Sequence, residues 1–159
     1  MGDNSSLTKN ASYRYANALF NLALETNSTF KYEKDLDKFL KIFNEDVDFS
    51  SFIRSPLYPR DNQISTMKAI CSKLKLNNNV INTVLVMTSK RRLFALKEMI
   101  FQYKDLCRQE RNELVVEVAS VSELTQVNID KIKKSISSKI NSNIIIKSKC
   151  DPTILGGLI

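Results

Sequence analysis

Nucleophilic chemistry in this chain would have to come from three cysteines, Cys71, Cys107 and Cys150. The chain has no His, so Ser-His and Cys-His nucleophile pairs and His-ligated metal sites are excluded. A thiol enzyme built on Cys107 or Cys150 would need a Lys or a carboxylate as its base. The cysteines are far apart and form no C-x-x-C, so zinc and thioredoxin-like readings have no support. They read as reduced thiols, with Cys71 and Cys107 acting as small hydrophobes on helices. Asp35 with Asp37, and Asp46 with Asp48, have the spacing of acid/base pairs. They lie among lysines on helical segments and read more simply as surface charge. Three Gly, two of them adjacent at Gly156-Gly157, leave no room for a phosphate-cradling loop. The expectation is therefore no catalytic set, no cofactor site and no metal site.

Charge offers a second kind of chemistry. Lys plus Arg is 24 and Asp plus Glu is 17 in 159 residues, a formal net charge of +7. Residues 1–104 carry 16 basic and 10 acidic residues, a balance of +6. Lys90-Arg91-Arg92 is the densest basic run and would meet phosphates in a nucleic-acid adaptor. No aromatic is interleaved in a basic strand to stack bases, so the run reads more simply as a solvated turn. Lys131, Lys133 and Lys134 read as the wet side of an amphipathic helix. Apolar runs are far shorter than the roughly 18 residues needed to cross a bilayer. Met1 to Asn10 lacks the pattern of a secretory signal or transit peptide. Met1-Gly2-Asp3-Asn4-Ser5-Ser6 fits only the loose myristoylation pattern, and the sequons at Asn4, Asn10 and Asn27 are ascribed to chance.

The elements that would carry these residues are mostly helical. Ala11 to Glu25 is a helix with apolar residues on more than one face. Leu36, Phe39, Leu40, Phe43 and Val47 form the stripe of a second, capped by Ser28 or Thr29. A short segment from Phe49 to Arg54 ends at Ser55-Pro56. Ile64, Met67, Cys71 and Leu74 mark the next helix. Asn77 to Asn79 offers an N-cap for a helix carrying Val80, Ile81, Val84, Leu85 and Thr88, with Val86 and Met87 on its other side. Leu93 to Arg111 is the last of about six helices. Near residue 112 the period changes. Glu113 to Val121 reads as a strand, a helix led by Ser122 follows, Ile144 to Lys149 is a second strand, and Ile154 to Ile159 begins a third. Two helices with wide apolar surfaces, the first and the one from Val80 to Ser89, would leave a shared groove for an amphipathic partner helix.

These segments carry a series of motifs. Arg14 with Tyr15-Ala16-Asn17-Ala18-Leu19-Phe20-Asn21-Leu22-Ala23 resembles the R-Y-A-x-A-L-F-x-x-A opening of the delta subunit of F-type ATP synthases. That family includes the mitochondrial oligomycin-sensitivity-conferring protein. Phe52 to Pro56, Arg92-Leu93 with Leu96, Val116 to Thr125, and Asp151-Pro152-Thr153-Ile154-Leu155-Gly156-Gly157 resemble further motifs of the family, in the family's order.

The resemblance implies a mainly α protein. A six-helix bundle at residues 1–104 would bind the catalytic head. A small α+β domain at residues 105–159, a truncated β-α-β-β unit, would face the peripheral stalk. It implies a non-catalytic stator at the cytoplasmic face of the bacterial inner membrane, peripheral through its complex. Its partners would be the N-terminal helix of an alpha subunit and the C-terminal ends of the b subunits, with no nucleic acid. The alpha-subunit helix would lie between the first and fifth helices, on Tyr15, Ala18, Leu19, Leu22, Ile81, Val84, Leu85 and Thr88. Gly156 and Gly157 would be structural. The alternative reading is a basic nucleic-acid-binding adaptor, which rests on the charge alone.

Overall fold

A computed structural model describes residues 3–120, 125–137 and 143–150. The chain divides into two compact units, Met1–Cys107 and Arg108–Ile159. Helix dominates the described residues. In chain order the helices are α1 (Asp3–Glu25), α2 (Thr29–Glu45), α3 (Val47–Arg54), α4 (Arg60–Lys73), α5 (Asn78–Ser89), a single 3₁₀ turn (Leu93–Ala95) and α6 (Leu96–Glu110). The helix α1 begins about two turns earlier than the apolar pattern from Ala11 suggests.

One apolar core organises the first unit. Leu19 and Ala23 of α1, Leu36 and Phe39 of α2, Met67 and Cys71 of α4, Val80 and Val84 of α5, and Met99 and Ile100 of α6 are all fully buried. These positions follow helical spacing, so each helix turns one stripe inward. Phe49 of α3 lies between Phe39 and Phe43, with ring centroids 6.4 Å and 5.0 Å away. Tyr103 packs edge-to-face on Phe20 at 6.1 Å, and its hydroxyl donates to the Thr29 carbonyl at 3.1 Å. Such pairs add about 1 kcal/mol each beyond the area they bury.

Polar groups set several helix ends, though Ser28, at the expected cap of α2, makes no side-chain cap bond and its hydroxyl donates to the Thr26 carbonyl at 2.9 Å instead. Asp46 takes an extended conformation, and its carboxylate accepts the Phe49 N–H at 3.0 Å. That cap ends α2 and starts α3, so Val47 leaves the α2 stripe in which its spacing placed it and stands 79% exposed. Asn77 caps α5 by accepting from the Asn79 N–H. The helices α1, α4 and α5 close with the paired C-terminal hydrogen bonds of a Schellman motif, as in Ser28 N–H to Ala23 and Asn27 N–H to Leu24. The left-handed residue of that motif is usually Gly. Here it is Asn27, Lys75 or Arg91, at φ 46°, 51° and 54°. The three glycines of the chain lie elsewhere.

The second unit has strands β1 (Glu113–Ser120) and β2 (Asn143–Cys150), with helix α7 (Gln126–Ser137) between them in sequence. The strands pair in parallel, Val116 opposite Ile146 and Val118 opposite Ser148. A parallel pair needs a crossover, and a helix is the usual one. Val118 and Ser120 are buried, and Lys131, Lys133 and Lys134 are exposed. The Ser122 cap, the third strand and Gly156-Gly157 fall outside the described residues, as do 141 and 142 of the break expected at Asn141 to Asn143; Asn143 already belongs to β2.

Candidate functional site

Most of the candidate reactive side chains have structural partners or are buried; the Cys150 side chain lies outside the described residues, and Asp48 is exposed. Cys71 and Cys107 are buried thiols that form no disulfide. Burial pushes the Cys71 thiol up from 9.0 to about 11, away from the thiolate a nucleophile needs. Burial also raises the Tyr103 phenol far above its ordinary range, with Cys107 adding to the effect. Asp35 does not fit the surface reading given to the carboxylates. It is 6% exposed. Its Oδ1 pairs with Lys38 at 2.8 Å, and its Oδ2 accepts the Asn77 N–H at 2.7 Å. The helical pattern placed it beside Lys38 but could not show that α5 begins against it. Asp37 pairs with Lys104, and Asp46 is the α3 cap. Among the described residues no cluster of three potential metal ligands occurs. No helix there is long and apolar enough to cross a membrane.

The feature that invites a ligand is a groove of about 330 Å³ between α1 and α5. Tyr15, Ala18 and Leu22 line one wall. Their spacing of three and four keeps them on one face of α1, while Ala16, Leu19 and Ala23 point into the core. Asn79, Asn82, Thr83 and Val86 line the other wall, again one helical stripe. Leu22 is 40% exposed and Val86 is 48% exposed, large apolar groups left in water.

Hydrogen bonds hold this second wall in place. Asn79 Nδ2 donates to the Tyr32 hydroxyl at 2.6 Å, and Tyr32 shares a hydrogen bond with Thr26 just past the end of α1. Thr83 Oγ1 donates to the Asn79 carbonyl at 2.9 Å. Lys38 Nζ ties Asp35 to the Leu74 carbonyl at the end of α4. The first turn of α5 is thus anchored to α1, α2 and α4 by side chains and not by packing alone.

The eight residues expected on the site divide. Tyr15, Ala18 and Leu22 line the groove. Leu19, Val84 and Thr88 have no exposed surface and form the layer beneath it. Thr88 Oγ1 donates to the Val84 carbonyl at 2.8 Å, which satisfies its buried hydroxyl. Ile81 and Leu85 are half-buried against the core. Leu85 also lines a second groove of about 340 Å³ beside α4, with Ile64, Asn82, Val86 and Ser89. Asn79, Asn82 and Thr83 are absent from the expected set, and Val86 is expected only as apolar surface on the other side of its helix. Their signal was phase: once Val80, Val84 and Met87 define the buried stripe, the positions one step round the helix must face out.

All seven lining residues are uncharged, four apolar or aromatic and three polar. Such a surface takes the apolar face of an amphipathic helix and offers a few hydrogen bonds for orientation.

Comparison with known proteins gives this fold its family. A family model described as ATP synthase delta (OSCP) subunit matches residues 11–159. The ATP synthase subunit delta of Brucella ovis is 34% identical over 159 residues, all of this chain and 86% of that protein. That of Jannaschia sp. is 32% identical over the same span, again 86% of the relative. Among solved structures, a chain of the Toxoplasma gondii mitochondrial ATP synthase hexamer has the same fold, with a TM-score of 0.71 at 20% identity. The match covers 93% of this chain and 83% of that one. The chain belongs to the ATP synthase delta (OSCP) subunit family.

Proposed function

We propose that this protein is a peripheral-stalk subunit of an F-type ATP synthase, holding the catalytic head to the b subunits against the torque of the rotor. The carrying observation is the α1–α5 groove in a member of the delta family. The helices of the first unit, Met1–Cys107, form the head-binding bundle, with the 104/105 boundary expected from the sequence moved past the buried Cys107, and the N-terminal helix of an alpha subunit lies on Tyr15, Ala18 and Leu22. Val86 and Asn82 provide the facing wall. The second unit, Arg108–Ile159, is the small α+β domain that meets the C-terminal ends of the b subunits. The protein sits at the cytoplasmic face of the bacterial inner membrane, peripheral through its complex, with no active site of its own.

A stator link needs static tightness and no turnover. Apolar burial supplies it at about 25 cal/mol per Å², less the cost of ordering the partner. The anchored start of α5 lowers that cost by presenting a wall already in place. The test is reconstitution. Membranes stripped of their own delta subunit should regain proton-driven ATP synthesis when the full chain is added with the catalytic head. Heads that rebind equally well without the chain would refute the stator role.

A further inference from the structure

The groove uses none of the densest basic run, Lys90-Arg91-Arg92. Arg91 lines a separate pocket of about 170 Å³ where the end of α3 meets the turn after α5. Ile53 and Leu93, 3% and 2% exposed, form its apolar floor, and Phe94, half exposed, stands with Pro56 among the lining groups. Arg54, the last residue of α3, is a second arginine lining the same pocket. Neither Arg54 nor Arg91 has an ion pair or a side-chain hydrogen bond among the described residues. Cations are favourable at helix ends on their own account. That role requires neither an apolar floor nor two arginines in one pocket.

We propose that this pocket binds an acidic peptide segment of a partner protein. One apolar side chain seats over Ile53 and Leu93 against Phe94, and an adjoining carboxylate is held by Arg54 and Arg91. The size fits one side chain, since a cavity of about 150 Å³ accepts benzene. Small-molecule sites are larger, from about 300 Å³ upward. Arg is the residue suited to a carboxylate, whose two oxygens match its planar fork. Residues 1–104 carry +6, which draws an acidic partner toward this unit. Leu57, beside Pro56 in sequence, is 88% exposed and gives the segment further apolar contact. A nucleic acid would need a track of cations along its phosphates, whereas here two arginines share one small pocket with apolar lining groups.

The test uses the full chain and proton–nitrogen correlation spectra. The probe is a capped Gly-Ser peptide with a central Leu-Glu pair. It should move the signals of residues 53–56 and 91–94, and its affinity should fall at high salt. A Leu-Gln or Ser-Glu peptide should bind about tenfold more weakly or worse, as should Leu-Glu with Arg54→Gln or Arg91→Gln. Arg91→Gly relaxes the left-handed position of the α5 cap, so it should fold at least as stably and still lose affinity. Inorganic phosphate shifting the same signals as strongly as the peptide would overturn the proposal in favour of a simple anion site. A single-stranded oligonucleotide that displaces the peptide, or binding that survives both arginine substitutions, would overturn it as well.

Discussion

The carboxylate of Asp35 in α2 accepts the backbone N–H of Asn77, 42 residues away, at 2.7 Å. Asn77 is the N-cap of α5, so a buried charge on one helix fixes where another begins. Lys38 balances that charge at 2.8 Å. Asp35→Ala strands the Asn77 donor and unpairs Lys38. It should cost about 2 kcal/mol, the worth of a hydrogen bond to a charged group, and Asp35→Asn should cost about half of that. Urea unfolding of both variants measures the difference. Equal stability of Asp35→Ala and the parent would show that the anchor carries nothing.

Leu19 and Leu22 lie one turn apart on α1 and do different work. Leu19 has no exposed surface, and Leu22 is 40% exposed on the groove wall. Leu19→Ala should cost about 3 kcal/mol through transfer and cavity terms. Leu22→Ala should cost less than about 1 kcal/mol in stability and act mainly on partner binding. Denaturation midpoints check the first statement and binding isotherms the second.

The same pair shows what was legible in the sequence. Helical periodicity gave the helices, because a buried stripe must recur at 3.6 residues. It also gave the two walls, since α1 and α5 are apolar beyond one stripe. Periodicity does not say which stripe is the inner one. For α1 the motif Tyr15-Ala16-Asn17-Ala18-Leu19 mixes both faces, so Leu19 was grouped with Leu22. For α5 the residues that the resemblance implies include Val84 and not Asn82, yet the polar Asn82 lines the groove and Val84 is in the core. The Asp35–Asn77 bond was invisible for a different reason. It joins segments whose proximity depends on the whole fold, and nothing local distinguishes Asp35 from Asp37.

Helix termination offers a stabilising change. Lys75 closes α4 at φ 51°, a conformation that costs a non-glycine residue about 1–2 kcal/mol. Glycine avoids that cost but loses more chain entropy on folding. Lys75→Gly should therefore raise stability by about 0.5–1 kcal/mol, with helical content unchanged by circular dichroism. A lower midpoint would mean that contacts of the Lys75 side chain outweigh the backbone term.

Alkaline pH should loosen the first unit in a defined window. The Cys71 thiol ionises at about 11 in the folded chain, against 9.0 ordinarily. A raised pKa means that the unfolded chain gives up its proton first. The associated stability is complete below pH 9 and is lost as pH rises toward about 11. Tyr103, shifted the same way by burial, adds to the loss at the upper end. Midpoints measured across this range should fall more gently in Cys71→Ala, once its lower baseline is subtracted. A thiol reagent should leave Cys71 unmodified at neutral pH until the chain unfolds.

The central claim is that α1 and α5 present a groove to the N-terminal helix of the alpha subunit. Calorimetric titration of that peptide into the full chain tests it most directly, with Leu22→Asp and Val86→Asp as groove variants and the exposed Val47→Asp as control. The account predicts one-to-one saturable binding, abolished in both folded groove variants and unchanged in the control. Binding that survives Leu22→Asp and Val86→Asp, or no binding by the folded parent chain, would contradict it.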